Sequence, residues 1–592
     1  MLSRQEFAVL YECLRGKTPS QRELVEATGY SLGAINTVVK ALKEQGLLDE
    51  ANALTEAGMK ALEPHKVDNA IIMAAGMSTR FAPISYEKPK GVLTVKGEVL
   101  IERQIRQLKE AGIEDIIVVV GYKKECFFYL AEEFGVEIVV NAEYAMRNNN
   151  STIMCVADRL GNSFLCSSDN YFVENPFEPY VYDAYYAAVF DEGETKEYCL
   201  HTRGKEDRIV GVSIGGHDEW VMLGHAYWDR TYSTEFVRIL RDIYNKPTTA
   251  DMLWEDIYIE YLPQLPMVMR KYDPGVIWEF DSLAELQEFD PAFVENVDSE
   301  IIDNICTHFD CERSGISNIV PIKQGLTNLS FRFDVAGQTY VYRHPGPDSG
   351  AFINRASETA SEKVAHELGL DDSFVFEDPQ AGWKISRFIE NANKLDYADE
   401  KHVADAIATL QTLHTCTADT GFNFDHFAAA EETIAKLGAQ ERTMFKDFES
   451  LRSDIAQLDK LAKEHGARTC LCHNDFVASN ILVAGGELHV IDWEYSAMSD
   501  YASDLAVFIT CAPNFSYEDA LQVLHLYFGR EPSEEELFHC IASIAVVSFF
   551  WFVWALYKDE HEEAMGESLY QWYKNAKEYG RRAHEMAQDF AY

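Results

Sequence analysis

Positive charge is scarce in this chain of 592 residues: 52 Lys and Arg face 97 Asp and Glu, a net charge of −45. Such a chain repels nucleic acid and anionic lipid as a whole, so a polyanionic partner would need a local basic patch. The 12 cysteines are scattered and include no CxxC pair, which leaves no metal framework to read from spacing. Cys470 and Cys472 form only a CxC. The start, MLSRQEFAVLYECLRGK, lacks the pattern of a secretory leader, and the expectation is a cytoplasmic protein with reduced thiols. Long apolar runs are missing with one exception. Ile541–Tyr557 is 17 residues without a charge, the bottom of the membrane-spanning range, where a buried core helix is the better expectation. No long repeat and no low-complexity tract occurs. At 47% hydrophobic and 25% charged residues, the composition excludes wholesale disorder, and the length demands several cores.

The chain reads as three segments, expected at 1–66, 67–292 and 293–592. In the first, QRELVEATG and YSLGAINTVVKALKEQGLLDE read as helix, tight turn at Gly29, helix and short wing. Leu24, Val25, Ile35, Val38, Val39, Leu42 and Leu47 make the apolar stripe. This resembles a MarR-like winged helix-turn-helix. Its second helix offers Asn36, Thr37, Lys40 and Lys43, but 8 basic against 9 acidic residues is a weak footprint for a DNA reader. A separable regulatory or protein-binding module is the expectation, with DNA binding the alternative.

In the second segment strands alternate with helices, which predicts a parallel α/β sheet. An apolar strand (NAIIMA) runs into Ala74-Ala75-Gly76-Met77-Ser78-Thr79-Arg80, followed by Lys88-Pro89-Lys90. Small residues let backbone N–H groups approach phosphates, and Arg80 and Lys90 supply fixed positive charge for a triphosphate. With KPKGVLTVKG and a strand ending VVVGY, the segment resembles the nucleotidyltransferase family. Within it the likeness is to bacterial CTP:phosphocholine cytidylyltransferases, with a Rossmann-like mixed sheet. The resemblance implies nucleotide binding by residues 74–79, Lys88, Gly121, Tyr122, Asn150 and Ser151, with Asn148 and Asn149 nearby. It implies catalytic Lys90 and Arg80, and Mg²⁺ on Asp169 and Asp281. Tyr227, Trp228, Trp254, Glu255 and Asp256 are the residues offered for the amine, since rings with a carboxylate suit an ammonium group.

The third segment carries His473-Asn474-Asp475-x₄-Asn480 and then Val490-Ile491-Asp492. Protein kinases use H-R-D-x₄-N to supply a catalytic Asp and a metal-binding Asn, with a later Asp on Mg²⁺. ILVAGGELHVID predicts a hairpin turning at Gly485-Gly486, which sets Asn480 and Asp492 at adjacent strand ends. Upstream lie Gln324-Gly325-Leu326-Thr327-Asn328, Arg343 in YVYRH and Glu358 in INRASE. The set resembles the choline/ethanolamine kinase branch of the aminoglycoside-phosphotransferase family, an α+β protein-kinase-like fold. The resemblance implies Asp475 as catalytic, Asn480 and Asp492 on Mg²⁺, and Gly325, Thr327, Asn328, Arg343 and Glu358 at the nucleotide. Trp551 and Trp554 share one helix face at i, i+3 and, with Tyr557, are the expected amine cage; Tyr570, Trp572 and Tyr573 are further walls. Together the resemblances imply an enzyme that makes phosphocholine from choline and ATP, then CDP-choline from phosphocholine and CTP. Ethanolamine or 2-aminoethylphosphonate as substrate, or a DNA-binding regulator with ligand-sensing domains, are the alternatives.

Overall fold

The computed structural model describes residues 2–16, 18–322, 328–346, 353–438, 444–560 and 566–588. The chain divides into two compact units, residues 1–314 and 315–592.

The first unit begins with helices Arg4–Gly16, Gln21–Thr28, Leu32–Glu44 and Glu56–Leu62. Ser20 and Glu23 form a capping box, and Gly29 closes the second helix at φ 70°, a left-handed conformation that glycine adopts without strain. A bridge between Leu48 and Leu54 makes the wing. Leu24, Ile35, Val38, Val39 and Leu42 are buried as the stripe predicts, while Asn36, Thr37 and Lys40 face outward. This winged helix is not a loosely tethered module. Its core takes in Tyr180 from the next segment. Tyr11 meets Tyr180 at 6.0 Å, and His65 stacks on Tyr182 at 5.0 Å. Val67 N–H donates to the Pro179 carbonyl at 3.0 Å.

A seven-stranded mixed sheet follows, in the order Val268–Tyr272, Tyr185–Arg203, Arg208–Trp228, Ser163–Ser167, Asn69–Ala74, Ile116–Val120, Glu137–Val140. Asn69–Ala74 is parallel to both its neighbours, so the loops after it and after Ser163–Ser167 leave the same edge. That edge is where parallel sheets bind ligands. Tyr185–Arg203 and Arg208–Trp228 pair antiparallel as a long ribbon. Residues 293–314, expected to open the third segment, pack within the first unit. Glu87 accepts from the N–H groups of Glu300 (2.7 Å) and Ile301 (3.2 Å) and so caps the helix Glu300–Phe309.

The second unit pairs a five-stranded antiparallel sheet and the helix Arg355–Glu367 with a mainly helical lobe. The apolar run lies in the helix Glu534–Glu560. It is long and apolar enough to cross a membrane, yet 89% of its apolar window is buried inside the unit. It is the central core helix, which is why it is apolar on every side.

The seam predicts that Tyr180→Ala destabilises the winged helix. Removing a buried ring costs about 3 kcal/mol, so the first urea transition of the full chain is expected at lower denaturant. An unchanged midpoint would restore the separable module.

Two candidate active sites

At the shared edge of the first unit's sheet, Gly121 sits so close to the loop of residues 75–78 that a Cβ there would meet the Ala75 carbonyl at 2.8 Å. Tyr122 N–H donates to that carbonyl at 3.1 Å. Gly76 and Met77 are exposed, and Ser78 turns at φ 50°. Lys90 is buried. Its Nζ lies 3.1 Å from Asp169 Oδ2 and donates to the Phe280 carbonyl. Arg80 pairs with Asp281 at 2.9 Å. Residues far apart in sequence, Arg80, Lys90, Asp169 and Asp281, thus form one cluster. Among the described residues, Asp169 Oδ1 is buried without a hydrogen-bond partner. An acceptor left open beside a second carboxylate fits a hard divalent cation.

Several expected residues are elsewhere. Lys88 pairs with Asp298 at 2.5 Å, outside this cluster. Asn150 is buried and donates to the Thr249 carbonyl at 2.9 Å, so its amide fastens a loop. Ser151 donates to the Asn148 carbonyl and accepts from Asn141. Tyr227 and Trp228 are fully buried, on opposite faces of the sheet, in two separate cores. Trp254 is buried too, stacked on Tyr186 at 5.5 Å. None of these three rings offers a face to a ligand. The carboxylates remain. Glu255 accepts from Tyr186 (3.2 Å) and Asn149 (3.2 Å), and burial pushes its pKa up to about 7. Asp256 accepts from Tyr198 at 2.9 Å. Glu279, which sequence reading missed, accepts from Asn170 at 3.0 Å. Burial, and then the charge of Asp169, raises it to about 8. Its signal lay in WEFD, two residues before Asp281.

In the second unit the expected hairpin pairs Ile481–Ala484 with Glu487–Val490. Gly485 and Gly486 turn at φ 61° and 89°, the double positive φ of a type I′ turn. Ile491 N–H then donates to the Asn480 carbonyl at 2.9 Å, which brings Asn480 beside Asp492. Asn480 Nδ2 donates to Asp475 Oδ2 at 2.8 Å. Burial, and then the nearby charges of Asp492 and Glu494, hold the Asp475 carboxyl well above the usual range. Asp492 Oδ1 is buried without a hydrogen-bond partner among the described residues, the same open acceptor as at Asp169. The loop is strained where it matters: Asn474 (φ 62°) and Asp492 (φ 66°) are both left-handed. Asp504 supports it, accepting from the N–H groups of His473 (2.9 Å) and Asn474 (2.6 Å) while His414 holds it at 3.0 Å. An acid inside the apolar run YASDLAVF was the overlooked signal.

Arg343 is buried among three carboxylates: it pairs with Glu358, with Glu377 at 3.3 Å and with Asp492 at 3.6 Å. Its guanidinium therefore organises the site's acids. Lys384 pairs with Glu362, and burial lowers it to about 8. Asn328 donates to Glu494 at 2.9 Å. Gly325 and Thr327 lie outside the described residues. A cavity of about 760 Å³ runs past these groups. Val341, Phe388 and Leu482 line an apolar part, Asp475, Asn480 and Asp492 a charged part, and Tyr495, Trp551, Trp554 and Trp572 a ring wall. Trp551 stands edge-on to Trp554 at 5.4 Å and near-parallel to Trp572 at 5.8 Å. Trp572, rather than Tyr557, supplies the third indole. Tyr570 is exposed, and Tyr573 is turned to Asp447.

Known proteins carry the same three parts. Residues 2–53 match the MarR family and residues 70–224 the MobA-like NTP transferase domain. Choline-phosphate cytidylyltransferase of Streptococcus pneumoniae is 32% identical over 221 residues, 37% of this chain and 96% of that protein. The chain belongs to the MobA-like NTP transferases. A second such transferase, the 2-aminoethylphosphonate cytidylyltransferase of Lancefieldella rimae, is 36% identical over 232 residues, 38% of this chain and 93% of that protein. The transferase is joined to a phosphotransferase: residues 318–537 match the phosphotransferase enzyme family. Protein LicA of Haemophilus influenzae is 27% identical over 255 residues, 41% of this chain and 94% of that protein. The protein is an enzyme with a cytidylyltransferase domain and a kinase domain.

In the kinase domain, Arg343→Met would strand three acids in a buried site. Breaking such a network costs about 3–5 kcal/mol, and the chain's apparent melting temperature is expected to fall by several degrees. A melting curve that superimposes on the wild type would show that the acids are not held by Arg343.

Proposed function

We propose that the kinase domain phosphorylates choline with ATP and that the transferase domain couples the resulting phosphocholine to CTP, giving CDP-choline and pyrophosphate. The observation that carries this reading is the cavity in which a wall of three indoles and a tyrosine adjoins Asp475, Asn480 and Asp492. A desolvated cation on such rings gains about 2 kcal/mol, and an alcohol held there has its hydroxyl beside Asp475. The kinase product is the transferase substrate, which gives the fusion its chemical logic.

In the kinase reaction, Asp475 orients the hydroxyl and accepts its proton as the oxygen attacks the γ-phosphorus, and ADP leaves. A carboxyl of raised pKa suits that task. In the transferase reaction, the acceptor phosphate is already anionic and needs no general base. An oxygen of phosphocholine attacks the α-phosphorus of CTP, and Lys90 and Arg80 balance the charge that develops as pyrophosphate departs. Glu255, Asp256 and Glu279 face the ammonium end. Mg²⁺, held by Asn480 and Asp492 in one domain and by Asp169 and Asp281 in the other, supplies charge neutralisation at the phosphates. Both nucleotides and the reduced thiols fit a cytoplasmic setting.

A second reading has its own support. The 2-aminoethylphosphonate enzyme is the more identical of the two transferases compared, and carboxylates suit a primary ammonium. The fusion argues against it, because a kinase acting on an alcohol makes a C–O–P ester and not a C–P bond. Ethanolamine keeps the ester, so choline against ethanolamine is the comparison to make.

With two independent sites, Asp475→Asn abolishes ADP formation from choline and leaves CTP turnover on supplied phosphocholine intact. Asp169→Asn does the reverse, and phosphocholine accumulates. Each loss is expected to be on the order of a hundredfold or more. Either substitution silencing both reactions in a folded chain would sink the assignment. Losing one ring of the cage costs about 1–2 kcal/mol, so Trp554→Ala should raise the KM for choline roughly 5–30-fold and the KM for ATP far less. Equal effects on both substrates would make Trp554 a core residue.

A further inference from the structure

The seam between the winged helix and the transferase sheet encloses a second cavity, of about 450 Å³. That is the size of a small-molecule site, and neither reaction above uses it. One wall is the helix Arg4–Gly16, which contributes Phe7, Ala8, Tyr11 and Glu12; the other is built from residues 178–185, 205–207 and 268–270 of the transferase. Two properties of the lining define what it accepts. It is rich in rings, with Phe7, Tyr11, Tyr180, Tyr182 and Tyr185. Its acids, Glu12, Glu178, Asp183, Glu206 and Asp207, also outnumber its bases, Arg4, Lys205 and Arg270. Two of those bases are neutralised within the wall: Arg4 pairs with Asp183, and Arg270 with Glu178 at 2.6 Å. Rings under a surplus of carboxylate favour an organic cation. The wall already seats one, since the Arg270 guanidinium lies over Tyr185 at 4.9 Å and Tyr272 at 5.8 Å.

The cavity also adjoins the elements that carry the transferase acids. The Tyr185 and Tyr272 hydroxyls meet the buried His225 at 2.8 and 3.5 Å. The His225 ring packs edge-on to Phe172 at 5.4 Å. Tyr171 and Phe172 follow Asp169 closely and pair with Ile277 and Trp278, and Glu279 and Asp281 come next in the chain. A shift of Arg270 and its two tyrosines thus reaches both sides of the phosphate cluster through packed groups of one unit.

From this geometry we infer that the seam is an effector site for a small organic cation, whose binding between the winged helix and the transferase sets the rate of the cytidylyl transfer. The turnover part of this inference rests on the transferase reaction proposed above; the binding part does not. Tetramethylammonium is the probe, because it has neither hydroxyl nor phosphate and neither domain consumes it. Equilibrium dialysis of the labelled ion against the full chain is expected to find one equivalent more on the wild type than on Ala8→Trp, which fills the cavity, or on Glu206→Lys, which reverses an exposed charge in its wall. With phosphocholine saturating, so that competition in the active site is suppressed, the ion should change CTP turnover at least twofold in the wild type and in neither variant. Equal equivalents on the three chains, or turnover unmoved by the ion, overturns the inference. A wrong phosphocholine reading would show differently, as no CTP turnover with that substrate, and dialysis alone would then decide.

Discussion

Each half of this protein collects carboxylates where water is largely withdrawn, and in each half a buried cation makes that possible. Lys90 sits against Asp169 and the Phe280 carbonyl; Arg343 sits among Glu358, Glu377 and Asp492. Burying an unpaired charge is prohibitive, so without these cations the acids would protonate or drive the sites open. The groups left after pairing show how finely the balance is set. Glu279 and Glu377 are each raised to about 8, so the charge in each cluster stops just short of what the cation can carry. A nucleotide with its metal changes that balance, and the clusters are built to absorb the change.

The two domains reach this arrangement by different routes. In the transferase, parallel strands end at one sheet edge and their loops meet, so residues far apart in sequence become neighbours without any local motif. In the kinase, most of the site is local: a loop, a short hairpin and one pair of strands. That difference explains what could be read from sequence. The H-x-D-x₄-N loop and its hairpin were legible because the Asn480–Asp492 distance follows from strand pairing alone. Asp169 and Asp281 came only from family likeness, and Glu279 was missed although it lies two residues from a site that was named.

Aromatic residues were the least legible feature. Trp551 and Trp554 line the kinase cavity while Tyr227, Trp228 and Trp254 are sealed in cores, and nothing in their local sequence separates the groups. A large ring suits a core and a cage equally, because both need flat apolar area. The overlooked Asp504 makes the complementary point. An acid within an apolar helix reads as an anomaly until backbone N–H groups from a distant loop are seen to meet it. The winged helix was legible as a fold but not as a neighbour, since no pattern in Tyr180 or Tyr182 announces that their rings complete another segment's core.

The kinase hairpin has an implication for how the chain tolerates change. The separation of Asn480 from Asp492 is held by cross-strand register, Ile481 opposite Val490, and not by the length of the turn between them. Extra residues spliced between Gly485 and Gly486 would enlarge a surface loop and leave the pairing as it is. A single residue removed from either strand would turn alternate side chains to the opposite face and carry Asp492 with them. Relatives of this enzyme should therefore vary freely in loop length at this turn while keeping the number of residues on each arm, and the turn itself is a place where a tag or a second domain could be inserted without disturbing the chemistry a few ångströms away.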